Sequence, residues 1–465
     1  MKEIYKKLLS GIPDYKEFLT VDEMDESSRR LAAEHPDCVE LFEMGKTSKG
    51  HPLLCLKIGD GPRNALMFGC PHPNEPIGTM MLEYLTKNLA QDKQLRDELG
   101  YTWYIVKAWD ADGLRLNEKW LKGPYTLYNY SRNFFRPAGH KQVDWTFPID
   151  YKNLHFHDTI PESEAMMKLI DDIKPSFIYS LHNAGFGGVY WYISKPMPEI
   201  YDEMYEAANC QEVPINFGEP ESPSCVAFAP AIYAEMTISH EYDYLEKYGN
   251  GINPADVIGS GSNSAEYAAT RYDSFTLLTE MPYFYDERIK DMSESDMIRR
   301  DAALIGMDWQ EKTSKFLRDT LAISQQYMDP ENPFMLAVRA FTKGGSSEAT
   351  RKMMEENPDF AKKATVAEKF DSLCASKFYK YLSYGQLLRA NETELQKMDE
   401  TGENNPEKRA ALQKAFDIMV KAHKDMTDEL ESEINYQVVP IRKLVYIQLA
   451  CGLLTAEYLK EHFEK

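Results

Sequence analysis

Through roughly the first 290 residues, short apolar runs of strand character alternate with stretches of helical periodicity. That alternation limits the fold more than any other feature of the chain. The clearest apolar runs are 53–59 (LLCLKIG), 64–70 (NALMFGC), 101–109 (YTWYIVKAW), 177–183 (FIYSLHN), 189–194 (VYWYIS) and 274–280 (SFTLLTE). Between them lie helical patterns at 27–36, after Pro76, where Met81, Leu82, Leu85 and Leu89 share a face, and at 162–173, opened by Pro161 and closed before Pro175. Such alternation predicts an α/β domain with a mixed or parallel sheet over residues 1–290.

From Arg288 onward the texture changes to amphipathic helical periodicity with few strand-like runs. This predicts a helical C-terminal region at 291–465, made of a connecting helix over about 291–328, a linker at 328–334 and a helical domain over about 330–465. Its alternating charges read as solvated helix faces.

The bulk chemistry excludes some functions. With 43% hydrophobic and 27% charged residues, the chain can bury a full core without staples. A formal net charge of −21 repels phosphate backbones, so nucleic acid is not an expected partner. The seven cysteines are odd in number and contain no C-x-x-C pair, which predicts reduced thiols and a cytoplasmic location. Neither a signal-type apolar segment at the N-terminus nor an apolar stretch of about 18 residues is present, so no membrane is expected as a partner.

Three strand ends carry the chemistry. The run NALMFGC leads into a proline-bounded turn, PHPNEP, that holds His72 and Glu75 beyond the carboxyl end of a strand, where open α/β sheets bind their ligands. Prolines on both sides reduce the entropy lost on ordering that pair. A His-x-x-Glu spacing alone recurs by chance. His182, however, ends a second apolar strand and is followed by small residues that leave space before the ring. Two imidazoles and one carboxylate form the donor set of a catalytic zinc site with a position open to water. Glu280 ends a third strand, where an idle carboxylate would be costly. Beside a zinc ion it is the candidate general base, taking a proton from an activated water and passing it to the leaving amine.

With these residues in hand, the sequence resembles the zinc carboxypeptidase family over about residues 15–285. HPNEP matches the His-x-x-Glu motif, and DADGLRLN (110–117) is similar to an NPDG segment with Ala111 in place of proline. SRNFF (131–135) resembles an N-R-N-aromatic motif, and 260–280 resembles the specificity loop and the strand to the catalytic glutamate. The resemblance implies a central mixed sheet flanked by helices, one zinc ion held by His72, Glu75 and His182, Glu280 as catalytic base, and hydrolysis of a terminal amide. It also implies that Arg132 binds the substrate carboxylate, a bidentate task suited to a guanidinium.

The chain departs from the family pattern at several places. Ser131 stands where asparagine precedes the carboxylate-binding arginine. Trp120 is followed by Leu121 and Lys122 rather than by the arginine that polarises the scissile carbonyl, which makes Arg115 and Lys122 the candidates for that role. The family's mobile-loop tyrosine falls near Ile258, with the tyrosines of 241–250 as substitutes, and the base of the side-chain pocket falls on Ala265. The expected function is a zinc-dependent hydrolase of a terminal peptide or amide bond, with a peptide or small amide as substrate. The alternatives are a zinc N-acyl-amino-acid amidase or deacylase, and a catalytically weak zinc-binding relative acting as a binding protein. The C-terminal helices are candidates for capping the cleft, restricting substrate length or forming a homo-oligomer.

Overall fold

The computed structural model describes residues 1–222, 224–249, 251–343 and 347–462. Its centre is a mixed sheet. The strands in chain order are β1 (Val39–Lys46), β2 (Pro52–Ile58), β3 (Arg63–Gly69), β4 (Tyr101–Val106), β5 (Phe177–Phe186), β6 (Tyr190–Ile193), β7 (Ala227–Ala229), β8 (Ile232–Ala234) and β9 (Phe275–Tyr285), with a short β10 (Gln437–Val438). Across the sheet they run β1-β2-β4-β3-β5-β9-β6-β8-β7, and β10 pairs with β9. The four central strands β4, β3, β5 and β9 are mutually parallel, while the neighbours on both sides include antiparallel pairs. Every position of β5 is buried, as a continuous apolar run in a central parallel strand requires.

Register decides what meets at the carboxyl end of these strands. Gly69 of β3 lies opposite Leu181 of β5, and His182 of β5 lies opposite Glu280 of β9. Side chains alternate between faces. Ile178, Ser180 and His182 therefore share one face, which packs on the helices Pro161–Ile173 and Ser264–Tyr272. Tyr179 and Leu181 face the other side, against Ile77–Gln91 and Ile441–His462. Gly78 permits this closeness, since a Cβ there would lie 2.4 Å from Leu181 Cβ.

Local chemistry moves several element boundaries from the sequence-based expectation. The first long helix is Val21–Glu34 and starts earlier, because Thr20 and Glu23 form a reciprocal capping box. β9 continues to Tyr285 and β5 to Phe186, since the ladder persists through two register shifts at Pro282↔Gly185 and Phe284↔Phe186. β4 stops at Val106, where the chain turns so that the amides of Trp109 and Asp110 donate to Gly69 and Cys70. The connecting helix is Arg299–Leu321, because Glu294–Ile298 is used as a strand against Lys363–Thr365.

The C-terminal helices share a core with the sheet, and one apolar cluster runs from Tyr5 to Leu459. Ile441–His462 lies directly on the sheet, where Tyr179 Oη donates to Gln448 O at 2.7 Å and Gly452 passes the same ring with a Cβ position only 2.6 Å from it. Ser376–Thr401 crosses the short helix Leu127–Asn133 so closely that a Cβ on Gly385 would sit 1.7 Å from Ser131 O. Residues 344–346 and 463–465 of the expected C-terminal region lie outside the described residues. Among the described residues no helix is long and apolar enough to cross a membrane.

Candidate metal centre and catalytic cleft

The turn after β3 begins with Cys70 in the left-handed region, φ 49°, an unfavourable conformation for a residue with a Cβ. Its thiol points to Glu75 O at 3.5 Å, and Glu75 N closes the turn on His72 O at 3.1 Å. This strained turn brings His72 and Glu75 beside the end of β5. His72, Glu75 and His182 are 5%, 1% and 3% exposed, and one donor atom from each lies within 4.8 Å of the others.

The donor atoms have definite roles. His72 Nδ1 is 3.2 Å from both oxygens of Glu75, and His182 Nδ1 is 3.0 Å from Glu75 Oε2. That last contact lacks hydrogen-bond geometry, so His182 Nδ1 is a buried atom without a hydrogen-bond partner. The opposite nitrogen, Nε2, meets Ser180 Oγ at 2.8 Å. When Nε2–H donates to Ser180, the lone pair of Nδ1 is left facing the Glu75 carboxylate, which is how outer partners orient a metal-binding histidine. Two imidazole nitrogens and a carboxylate, one nitrogen orphaned, fit a zinc ion in chemistry and in spacing. Asn183 N supports Glu75 Oε2 at 3.2 Å.

Electrostatics agree with that donor set. Burial raises the Glu75 carboxyl, but His72 and His182 together outweigh it and hold Glu75 well below the usual range. Burial first, then the charge of Arg136, pushes His72 down to about 3, so its ring is neutral at physiological pH. Glu280, 6% exposed, lies with Oε1 3.7 Å from His182 Nδ1, and its Oε2 has no hydrogen-bond partner. Burial, and then the charges of Glu221 and Glu75, pushes its carboxyl well above the ordinary value.

The structure brings His72, Glu75, His182 and Glu280 together. Other candidate residues lie elsewhere. Arg132 pairs with Glu392 at 2.7 Å, because its helix turns that face toward Ser376–Thr401. Ser131, fully buried, bonds Tyr381 O at 3.0 Å and meets His423 Nε2 at 3.1 Å. Arg115 pairs with Asp22 at 2.6 Å and Lys122 with Glu23 at 2.8 Å, both drawn toward the helix Val21–Glu34. Ala265 is buried in the first turn of Ser264–Tyr272. Ile258 sits in a separate apolar cluster with Tyr242 and Leu245, with Tyr244 and Tyr248 packed against it. Asn250, the last residue of the substitute segment 241–250, lies outside the described residues.

Two site residues escaped the sequence reading. Arg136 lies beyond the helix Leu127–Asn133, in the extended chain that follows it, and its Nη1 donates to Glu75 Oε1 at 3.1 Å while Nη2 meets His72 Nε2 at 3.0 Å. The signal was present in FFRPAG, a guanidinium set between two buried phenylalanines and a proline. Glu221 accepts from Tyr190 Oη, and Tyr190 lies opposite Glu280 in the sheet. Glu221 is exposed to solvent, and its charge is among the causes that push the Glu280 carboxyl up.

A family profile described as zinc carboxypeptidase matches residues 24–273, more than half of the chain. Carboxypeptidase D of Mus musculus is 25% identical over 154 residues, 30% of this chain and 11% of that protein. Zinc carboxypeptidase A 1 of Anopheles gambiae is 26% identical over 125 residues, 25% of this chain and 29% of that protein. The matched stretches thus span well under half the length of either relative. Among solved structures, carboxypeptidase A from Helicoverpa armigera is similar at 15% identity and a TM-score of 0.39, covering 60% of this chain and 71% of that one. A metallo-carboxypeptidase from Burkholderia cenocepacia is similar at 15% identity and a TM-score of 0.33, covering 57% and 60%. On the extent of the profile match, this chain belongs to the zinc carboxypeptidase family.

Proposed function

We propose that this protein is a zinc-dependent hydrolase that cleaves a terminal peptide or amide bond. The observation that carries the reading is the pair of orphaned buried atoms, His182 Nδ1 and Glu280 Oε2, set opposite each other on adjacent strands beside Glu75. Each lacks a partner that a metal ion and a substrate or water would supply. His72, Glu75 and His182 would hold the ion, and its chemistry there is to polarise a carbonyl and to ease deprotonation of water. Glu280 takes the proton from the attacking water and delivers it to the departing amine.

Arg136 is the anion-binding residue of this reading, in place of Arg132. In the present arrangement it donates to His72 Nε2, which leaves the proton of a neutral ring on Nδ1. If His72 serves as a ligand through Nδ1, its ring would carry the proton on Nε2, and Arg136 would have to release the ring. Its guanidinium is then free to take the terminal carboxylate or the developing oxyanion of a substrate.

The test is turnover of a mixed library of peptides and N-acyl amino acids by zinc-loaded protein, with Glu280→Gln alongside. Release of terminal residues by the wild type, reduced about 100-fold or more in the variant, is expected. Absence of turnover from protein that retains one zinc ion would overturn the hydrolase reading and favour the binding-protein alternative.

A further inference from the structure

The long helix Ser376–Thr401 lies outside the residues matched by the family profile, and it reaches the catalytic cleft at two places. At one, Gln386 Oε1 accepts from Arg136 N at 3.4 Å, and Arg389 Nη1 donates to Asn133 O at 2.7 Å and Phe134 O at 3.0 Å, so the helix grips the segment that carries Arg136. At the other, Tyr379 Oη donates to the carbonyls of Ala184 and Phe186, the latter at 2.6 Å, just beyond His182 on β5. Pro282, opposite Gly185 on β9, has no N–H for the ladder at this register shift, which leaves strand carbonyls for a side chain to satisfy. Gly185 makes the approach possible: its φ is 69°, and a Cβ there would lie 3.2 Å from Phe378 Cε1.

Tyr379 differs from its neighbours on the helix. Phe378 and Tyr381 are fully buried, whereas Tyr379 is 44% exposed. Its hydroxyl is turned in toward β5, where burial first, then the charges of Asp371 and Glu221 and more weakly that of Glu280, hold the phenol well above its ordinary value, so it stays a protonated donor. Tyr190, opposite Glu280 in the sheet, feels the same groups, Glu221, Glu280 and Tyr379. An exposed aromatic ring thus stands beside the proposed base, supplied by a helix remote in sequence. The helix enters through a π-turn, Asp371–Ala375, a rare widened turn that recurs at functional sites. Asp371 accepts from Glu219 N at 2.8 Å, and Arg299 Nε and Nη2 donate to Glu219 at 2.8 and 2.5 Å. The helical region therefore also ties down the chain that leads to Glu221.

Residues 379 and 386 are two helical turns apart, so they lie on one helix face about 10 Å from each other along the axis. An extended peptide covers at most about 3.5 Å per residue. Between the segment of Arg136 and Tyr379 there is therefore length for about three residues. We propose that Ser376–Thr401 closes one end of the cleft and that Tyr379 is its end stop, a specificity-determining residue whose ring meets the far end of a short substrate and excludes longer chains. The inference deepens the hydrolase reading and rests on it: with Arg136 taking the terminal carboxylate, the substrate class is short peptides of about three residues.

Two measurements on the zinc-loaded protein test this. The first compares kcat/KM for peptides of two, three, five and eight residues that share their last two residues. In wild type the value should fall by about tenfold or more between three and five residues, the scale of one overpacked contact. Tyr379→Ala should lift that fall, and Tyr379→Phe, which keeps the ring and loses the bonds to Ala184 and Phe186, should retain it. Two variants impaired alike at every length would mean that Tyr379 only satisfies strand carbonyls, and would overturn the proposal. The second measures calorimetric binding of the same peptides to Glu280→Gln protein, with and without Tyr379→Ala. Tighter binding of the short peptides, levelled by Tyr379→Ala, supports the end stop even if wild type cleaves nothing; that combination would count against the hydrolase reading alone. Binding and turnover independent of length, a limit that survives Tyr379→Ala, or no binding of any of these peptides overturns the proposal.

Discussion

A tight crossing between the C-terminal helices and the segment that leads to Arg136 offers a sharp test of how the site is held. Gly385 of Ser376–Thr401 crosses Ser131 with a Cβ position 1.7 Å from the carbonyl oxygen, whereas ordinary contact begins at 3.4 Å. In Gly385→Ala the helix must therefore back away by more than an ångström, because the obstacle is backbone and cannot rotate aside. Helix propensity alone would make the substitution favourable by about 1 kcal/mol. Overpacking a tight contact costs about 1–3 kcal/mol, and this clash is at the severe end. The net expectation is a loss of about 1–2 kcal/mol in urea denaturation at constant m value. Gly259→Ala, whose Cβ meets nothing within 4 Å, serves as the control. The displacement should also reach the metal centre, since the next residue, Gln386, accepts from Arg136 N and Arg136 touches Glu75 and His72. Zinc affinity or kcat/KM should change although no ligand is altered. A Gly385→Ala protein as stable as wild type or more so, with unchanged zinc binding, would refute this account of the docking.

Arg136→Ala should raise KM for a substrate with a free carboxylate by about tenfold or more. Arg132→Ala should leave KM near the wild-type value and act through its lost pair with Glu392; the reverse pattern would restore Arg132 to the site. The acid-raised carboxyls give stability a pH dependence of known sign. Burial, then the charge of Glu219, raises Asp371 to about 7, so the folded state keeps a proton that the unfolded chain releases from about pH 4. The folded state binds more protons in that window, and this carboxyl's share of stability is lost as pH rises through about 7. Asp371→Asn should therefore gain on wild type in denaturation midpoint between pH 5 and 8, and a gap that narrows as pH rises would show the sign to be wrong.

The sequence alone determined the features that are local in the chain. Strand–helix alternation gave an α/β sheet, and the His-x-x-Glu turn, His182 and Glu280 were legible because each ends an apolar strand in its own short segment. Those strands lie side by side in the fold, so the residues meet. Element boundaries were less legible, since the extension of β9 to Tyr285 depends on a partner strand about 100 residues away. Arg132 lies in the last turn of Leu127–Asn133 and Arg136 just beyond it, and nothing in their spacing says which guanidinium reaches Glu75. The tertiary structure decides it, because Glu392, far along the chain, draws Arg132 away. Periodicity reports which way a side chain faces within its own element. Only packing between elements decides which side chains, remote in sequence, share a cavity.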